Sequence, residues 1–164
     1  LVRAYNREDR MEEAIKTAGR LVDIEPDNIP VLLMRANLNF MAEKYEAAIA
    51  DCNRVIALDA TNASAYYLAA KAKKAAGDVL GTIVSLSQAI TIKEDFAEAL
   101  LLRAEMMLST RDYKDGLQDI EKVIGLMPEE ENAFLIRGRL HEALGDDQAA
   151  EQVFSPSPYL HREE

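Results

Sequence analysis

The stretch EEAIKTAGRLVDIEPDN, Glu12–Asn28, returns in altered form three times along the chain. It reads EAAIADCNRVIALDATN at Glu46–Asn62, LGTIVSLSQAITIKEDF at Leu80–Phe96 and KDGLQDIEKVIGLMPEE at Lys114–Glu130. Each copy begins 34 residues after the one before it. A fifth window at 148–164 opens in phase as QAAEQVF and then breaks into SPSPYLHREE. A fixed period of this length marks a repeat architecture, in which each unit is one supersecondary element that buries its apolar face against its neighbours.

One period, 29–62, divides into two helical patterns. In IPVLLMRANLNFMAEK, the residues Leu32, Arg35, Ala36 and Asn39 fall on one face at steps of three and four. In YEAAIADCNRVIALD, the residues Tyr45, Ala48, Ile49, Cys52, Val55 and Ile56 do the same. The turn AEK separates the two helices and DATN closes the unit. The equivalent turns read GD at 77–78, RD at 111–112 and GD at 145–146. Glycine accepts turn angles other residues resist, and aspartate accepts from the free amides that open a helix. Pro26 and Pro128 stop the second helices of their units, because proline cannot continue one.

Small residues recur where two helix backbones must approach. One row is Ala36, Ala70, Ala104 and Gly138, and the facing row is Ala14, Ala48, Thr82, Gly116 and Ala150. Bulky residues flank them: Leu32, Tyr66, Leu100 and Phe134, then Ile15, Ile49, Ile83 and Leu117. Small opposite large is how paired helices reach interior density.

With these rows the chain resembles the tetratricopeptide-repeat family, whose unit is a 34-residue helix–turn–helix with small residues at the close-approach positions. The family places an aromatic at the start of the second helix; Tyr45 and Tyr113 match it, whereas Met11 and Val79 depart. Ala60 and Glu94 replace the closing proline in two units. The resemblance implies an all-α, right-handed superhelix of about five helical hairpins. It covers residues 1–154, with repeats at about 1–28 (partial), 29–62, 63–96, 97–130 and 131–154 (partial), followed by a proline-containing tail at 155–164.

The repeats also predict a polar pin. Arg35 precedes Asp51 by 16 residues and Arg103 precedes Asp119 by the same interval, while the intervening unit has Ala69 and Ser85 there. Both charges vanish together, which points to an Arg–Asp bridge between the helices of the second and fourth repeats, worth about 0–1 kcal/mol if exposed. Arg137 faces Val153 at that interval, so its partner must come from elsewhere.

The ends depart from the pattern. Leu1 falls about six residues late into the first helix of its repeat, and Pro156 and Pro158 stop the last helix near Phe154. The expectation is a segment of a longer array, with end-to-end self-association through uncapped repeats. The alternative is that Tyr159 and Leu160 fold back as a cap or insert into a neighbouring molecule's groove.

Composition bounds the chemistry. The 164 residues are 49% hydrophobic and 29% charged, with seven glycines, five prolines and no tryptophan, which is globular rather than disordered. A net charge of −10 argues against nucleic acid, whose phosphates need a basic face. No apolar run is long enough to insert in a membrane. A single cysteine, Cys52, allows no internal disulfide and slightly favours a reducing, cytoplasmic setting. Cys52 shares a row with Ala18, Leu86, Ile120 and Phe154, a core position. His141 shares one with Tyr5, Asn39, Lys73 and Met107, a packing position between helices. His161 lies in the tail. There is no glycine-rich phosphate loop and no zinc-like spacing, and the acids at Glu130 and Glu131 suit a helix start. No enzyme, cofactor or metal site is expected.

By resemblance, the first helices line a concave groove that holds a peptide or a partner helix. Three rows should face it: Leu33, Tyr67, Leu101 and Leu135; Arg3, Asn37, Lys71, Glu105 and Arg139; and Asn6, Phe40, Lys74, Leu108 and Glu142. The last two rows carry four basic residues against two acidic ones, on a chain of net −10. The groove is therefore expected to take a protein segment with acidic residues, anchored at Phe40, Tyr67 and Leu101. The alternative for the Leu33 row is burial between repeats. A carboxylate clamp of the chaperone-binding type would need basic or amide side chains at Leu33, Leu68, Glu98 and Leu102, and only Asn37 fits it. The readings at the level of function are a non-catalytic interaction scaffold, a structural spacer of a longer array, or the repeat part of a multidomain enzyme.

Overall fold

The computed structural model describes residues 2–145, with side-chain surroundings from Arg7 onward. Ala150, Val153, Phe154 and the tail with Pro156, Pro158, Tyr159, Leu160 and His161 lie outside the described residues. The described chain is all-α: α1 (Val2–Ile24), α2 (Ile29–Met41), α3 (Tyr45–Leu58), α4 (Ala63–Ala75), α5 (Val79–Ile92), α6 (Ala97–Thr110), α7 (Tyr113–Leu126) and α8 (Glu131–Ala143). They fall into two compact units, Leu1–Glu94 and Asp95–Glu164, each described here by itself.

The helix ends keep the 34-residue phase whether or not the expected residue is present. Second helices end at Ile24, Leu58, Ile92 and Leu126, although Ala60 and Glu94 stand in the two middle proline positions. The turns inside the units are equally regular. Glu43 (φ 60°), Gly77 (85°), Arg111 (64°) and Gly145 (75°) all take the left-handed conformation that lets the chain reverse. For glutamate and arginine this costs about 1–2 kcal/mol, and packing of the hairpin offsets it. Asp9 occupies the same row and does not turn; α1 runs straight through it.

Four helix starts, those of α2, α4, α5 and α8, are capped by a side chain. The Asn28 side chain accepts from the Val31 amide at 3.1 Å and the Asn62 side chain from the Ala65 amide at 3.0 Å. The Glu130 carboxylate takes the amide of Asn132 at 3.3 Å. Asp78 caps α5 through the Gly81 amide at 2.8 Å, whereas α7 has no side-chain cap from Asp112.

Inside the first unit, Leu32, Val55 and Ala65 form one buried cluster, with Leu33 and Ile56 packed on it. A second joins Ala36, Cys52, Leu68 and Ala69, with Leu33 and Phe40 against it. The small-residue rows lie at the helix crossings: Ala36, Ala48, Ala70, Thr82 and Ala104 are fully buried. In the second unit a Cβ on Gly116 would meet Leu140 Cδ2 at 3.0 Å and Met107 Cβ at 3.3 Å, so α7 approaches its neighbours as closely as a bare backbone allows.

Candidate peptide-binding face

The predicted pins form. Arg35 donates from Nε to Asp51 Oδ2 at 2.8 Å and from Nη2 to Oδ1 at 2.6 Å. Arg103 repeats the fork on Asp119 at 2.6 and 2.7 Å. Both carboxylates are buried, so the pair is not the exposed bridge of the sequence estimate but a half-desolvated bidentate one. The hydrogen bond to the carboxylate raises the pKa of each guanidinium, and burial opposes it. In the repeat between, where Ala69 stands in the arginine position, Lys73 Nζ donates to Ser85 Oγ at 2.8 Å. Arg137 finds its partner backwards along the chain, in Glu121 Oε1 at 3.3 Å, and stacks over the Phe134 ring at 5.2 Å.

These pins hold the first helices with one face outward. In the first unit α2 offers Asn37 and Phe40, and α4 offers Tyr67, Lys71 and Lys74. The Lys71 ammonium lies 5.4 Å from the Phe40 ring centre and 5.0 Å from that of Tyr67. Its position is set by two ring faces from two helices, a placement worth about 0.5–2 kcal/mol depending on desolvation. Phe40 also packs on the core and stands 6.0 Å from Tyr45, tilted 55°, so it serves the hairpin as well as the face. Asn37 is exposed, and its amide donates to the Leu33 carbonyl one turn back at 3.1 Å. Leu33 is half-buried against both clusters, the alternative weighed for its row.

In the second unit, α6 carries Leu101, Glu105 and Leu108, all half-buried, and α8 carries Arg139, exposed beside exposed Leu135. The helix backbone places Arg3 and Asn6 on α1. Of the candidate residues, the structure joins Phe40, Tyr67 and Lys71 in direct contact. The signal for this contact was absent from any single repeat, since Phe40 and Lys71 sit in different repeats of the first unit.

Cys52 is fully buried, and burial first, then the Asp51 charge, pushes its thiol up to about 12. His141 is half-buried on α8. Among the described residues no group of three or more His, Cys, Asp or Glu side chains could hold a metal ion, and no helix is long and apolar enough to cross a membrane.

Paired helices of this length, in this phase and with small residues at the crossings, make the fold that of tetratricopeptide-repeat proteins. The structure superposes on the crystal structure of MamA with a TM-score of 0.84 at 22% identity, over 91% of this chain and 87% of that one. It superposes on the first tetratricopeptide repeat domain of Spaghetti (RPAP3), bound to HSP90 peptide SRMEEVD, with a TM-score of 0.69 at 20% identity, over 71% and 93%. In sequence it is 26% identical over 159 residues to RNA polymerase II-associated protein 3 of Xenopus tropicalis, a match covering 94% of this chain. The chain spans only 24% of the length of that relative. No protein-family model matches the chain.

Proposed function

We propose that the chain is a non-catalytic protein-interaction module whose first helices bind a peptide or helix segment containing acidic residues. The observation that carries this reading is Lys71, whose ammonium is held over Phe40 and Tyr67 and makes no ion pair among the described residues. A cation presented on two aromatic faces has its electrostatic demand only partly met, so a carboxylate arriving from a partner completes it while apolar neighbours cover the rings. Asn37 and Lys74 flank this anchor, and within the second unit, taken by itself, Leu101, Glu105, Leu108 and Arg139 are the proposed lining residues. A solved relative in fold holds a peptide, SRMEEVD, that is itself acidic, which supports the same class of ligand here.

The test is a random heptapeptide library displayed against the folded chain. Peptides with Asp or Glu beside an apolar residue should be enriched, and Lys71→Glu should weaken the best of them by about tenfold or more, near 1.4 kcal/mol, with an unchanged circular dichroism spectrum. Enrichment indifferent to Lys71→Glu, or no enrichment, overturns the reading.

A further inference from the structure

The described second helices all end in the same way. Ile24, Leu58, Ile92 and Leu126 stand at one register position, and each is the last residue of its helix. All four are exposed, at 74%, 39%, 36% and 43%. The row two residues back, Val22, Ile56, Ile90 and Ile124, is half-buried or buried. Single exposed aliphatics are ordinary, but one kept at the same open position in each of these repeats is not accounted for by the core. Nor is it open for want of neighbours. α3 packs on both α2 and α4, and Leu58 still faces solvent.

In the first unit two of these ends lie side by side. Val22 and Ile56 pack on the same cluster of Leu32, Val55 and Ala65. Asp27, three residues after Ile24, pairs with Arg54, one helical turn before Leu58. Ile24 and Leu58 therefore belong to one edge, where α1 and α3 end and α2 and α4 begin. That edge is acidic. Residues 21–28 and 55–62 hold Asp23, Glu25, Asp27 and Asp59 and no lysine or arginine. Arg20 and Arg54 stand further back, and Arg54 is paired with Asp27. Asp59 accepts from the Thr61 hydroxyl at 2.7 Å and its amide at 3.0 Å, which lowers the carboxyl pKa and keeps it ionised. The carbonyl ends of α1 and α3 add to the negative field, with no basic residue in either last turn. The amide ends of α2 and α4, which favour the opposite charge, are capped by Asn28 and Asn62. The face of the first helices is the reverse: α2 and α4 hold Arg35, Lys71, Lys73 and Lys74 and no acid.

We propose that this edge of the first unit is a second docking surface, and that it takes a partner segment carrying lysine or arginine beside aliphatic residues. Ile24 and Leu58 give the apolar contact, while Asp23, Glu25 and Asp59 meet the cations and set the approach. The surface is independent of the Lys71 face, because a ligand matched to one is opposite in charge to a ligand matched to the other. Two copies meeting edge to edge would bring acids against acids, so a basic partner fits and a second copy does not.

Fluorescence anisotropy with a labelled leucine–lysine peptide tests this, beside a serine–lysine peptide of the same length and charge. The leucine–lysine peptide should bind about tenfold or more tighter than the serine–lysine one. Ile24→Lys with Leu58→Lys should weaken it by about tenfold or more, with an unchanged circular dichroism spectrum. Asp23→Asn with Glu25→Gln keeps shape and removes only charge, so it decides the matter even if the first pair folds poorly. It should weaken binding about threefold and flatten its dependence on salt. No binding of the leucine–lysine peptide, equal binding of the serine–lysine peptide, or full affinity in the folded variants overturns the proposal. So does light scattering that shows the free chain to be an oligomer dissolved by Ile24→Lys with Leu58→Lys, which would assign the edge to a second copy.

Discussion

The hairpins α2–α3 and α4–α5 have the same backbone and different polar chemistry. The first is pinned by a buried Arg35–Asp51 fork, the second by one hydrogen bond from Lys73 to Ser85, with alanine in place of the arginine. What they share is the seam: Ala36 against Ala48, and Ala70 against Thr82, all fully buried. Thr82 fits because its hydroxyl donates to the Asp78 carbonyl of its own helix at 2.6 Å and brings no unmet polar group to the crossing. The outer faces diverge too. α3 carries Arg54 in an exposed ion pair with Asp27, while α5 has no charged residue and exposes Leu80 and Val84. The unit geometry thus rests on small residues at the crossing, and the pin is an addition that sequence change can replace.

That distinction can be broken experimentally. The largest effect should come from the seam: Ala36→Leu and Ala70→Leu force two backbones apart, and each should cost about 3 kcal/mol or more. The urea midpoint should fall similarly for both. A seam variant tolerated in one hairpin only would show that the pins, not the crossing, set the geometry. The pins should separate the hairpins. Asp51→Ala strands a half-buried guanidinium and should cost about 1–2 kcal/mol, whereas Ser85→Ala should cost less than about 1 kcal/mol, because Lys73 can turn to water. Equal losses from denaturant titration would refute the difference drawn between a buried fork and a single bond. The smallest effect is a silence. Cys52, with its thiol raised to about 12, should resist alkylation of the native protein at neutral pH and react at once in denaturant. Rapid native labelling would mean that the cluster of Ala36, Cys52, Leu68 and Ala69 opens readily.

Much of this was readable from the repeat. The period placed the helix starts at 29, 63, 97 and 131, and the paired disappearance of Arg and Asp in one unit revealed the forks in the two others. Asn28 and Asn62 are also legible as caps, being 34 residues apart and immediately before a helix. Other features had no local sign. Glu43 and Arg111 take a conformation that neither residue prefers, because the hairpin around them leaves no other path. Lys73 reaches Ser85 from a row where the other units hold Asn39, Met107 and His141, so periodicity pointed away from it.

The sequence by itself therefore determined the unit: its length, its two helices, the faces they bury and the residues at which they cross. These follow from local periodicity and side-chain size, which every copy repeats. Tertiary structure alone decided what happens between copies. It put Lys71 over rings from two successive repeats, left Met34 open where Leu68 and Ile136 are covered, and let α1 run straight through Asp9. A repeat specifies its own hairpin, but whether a face is covered depends on the neighbour packed against it, and that neighbour is not written in the unit.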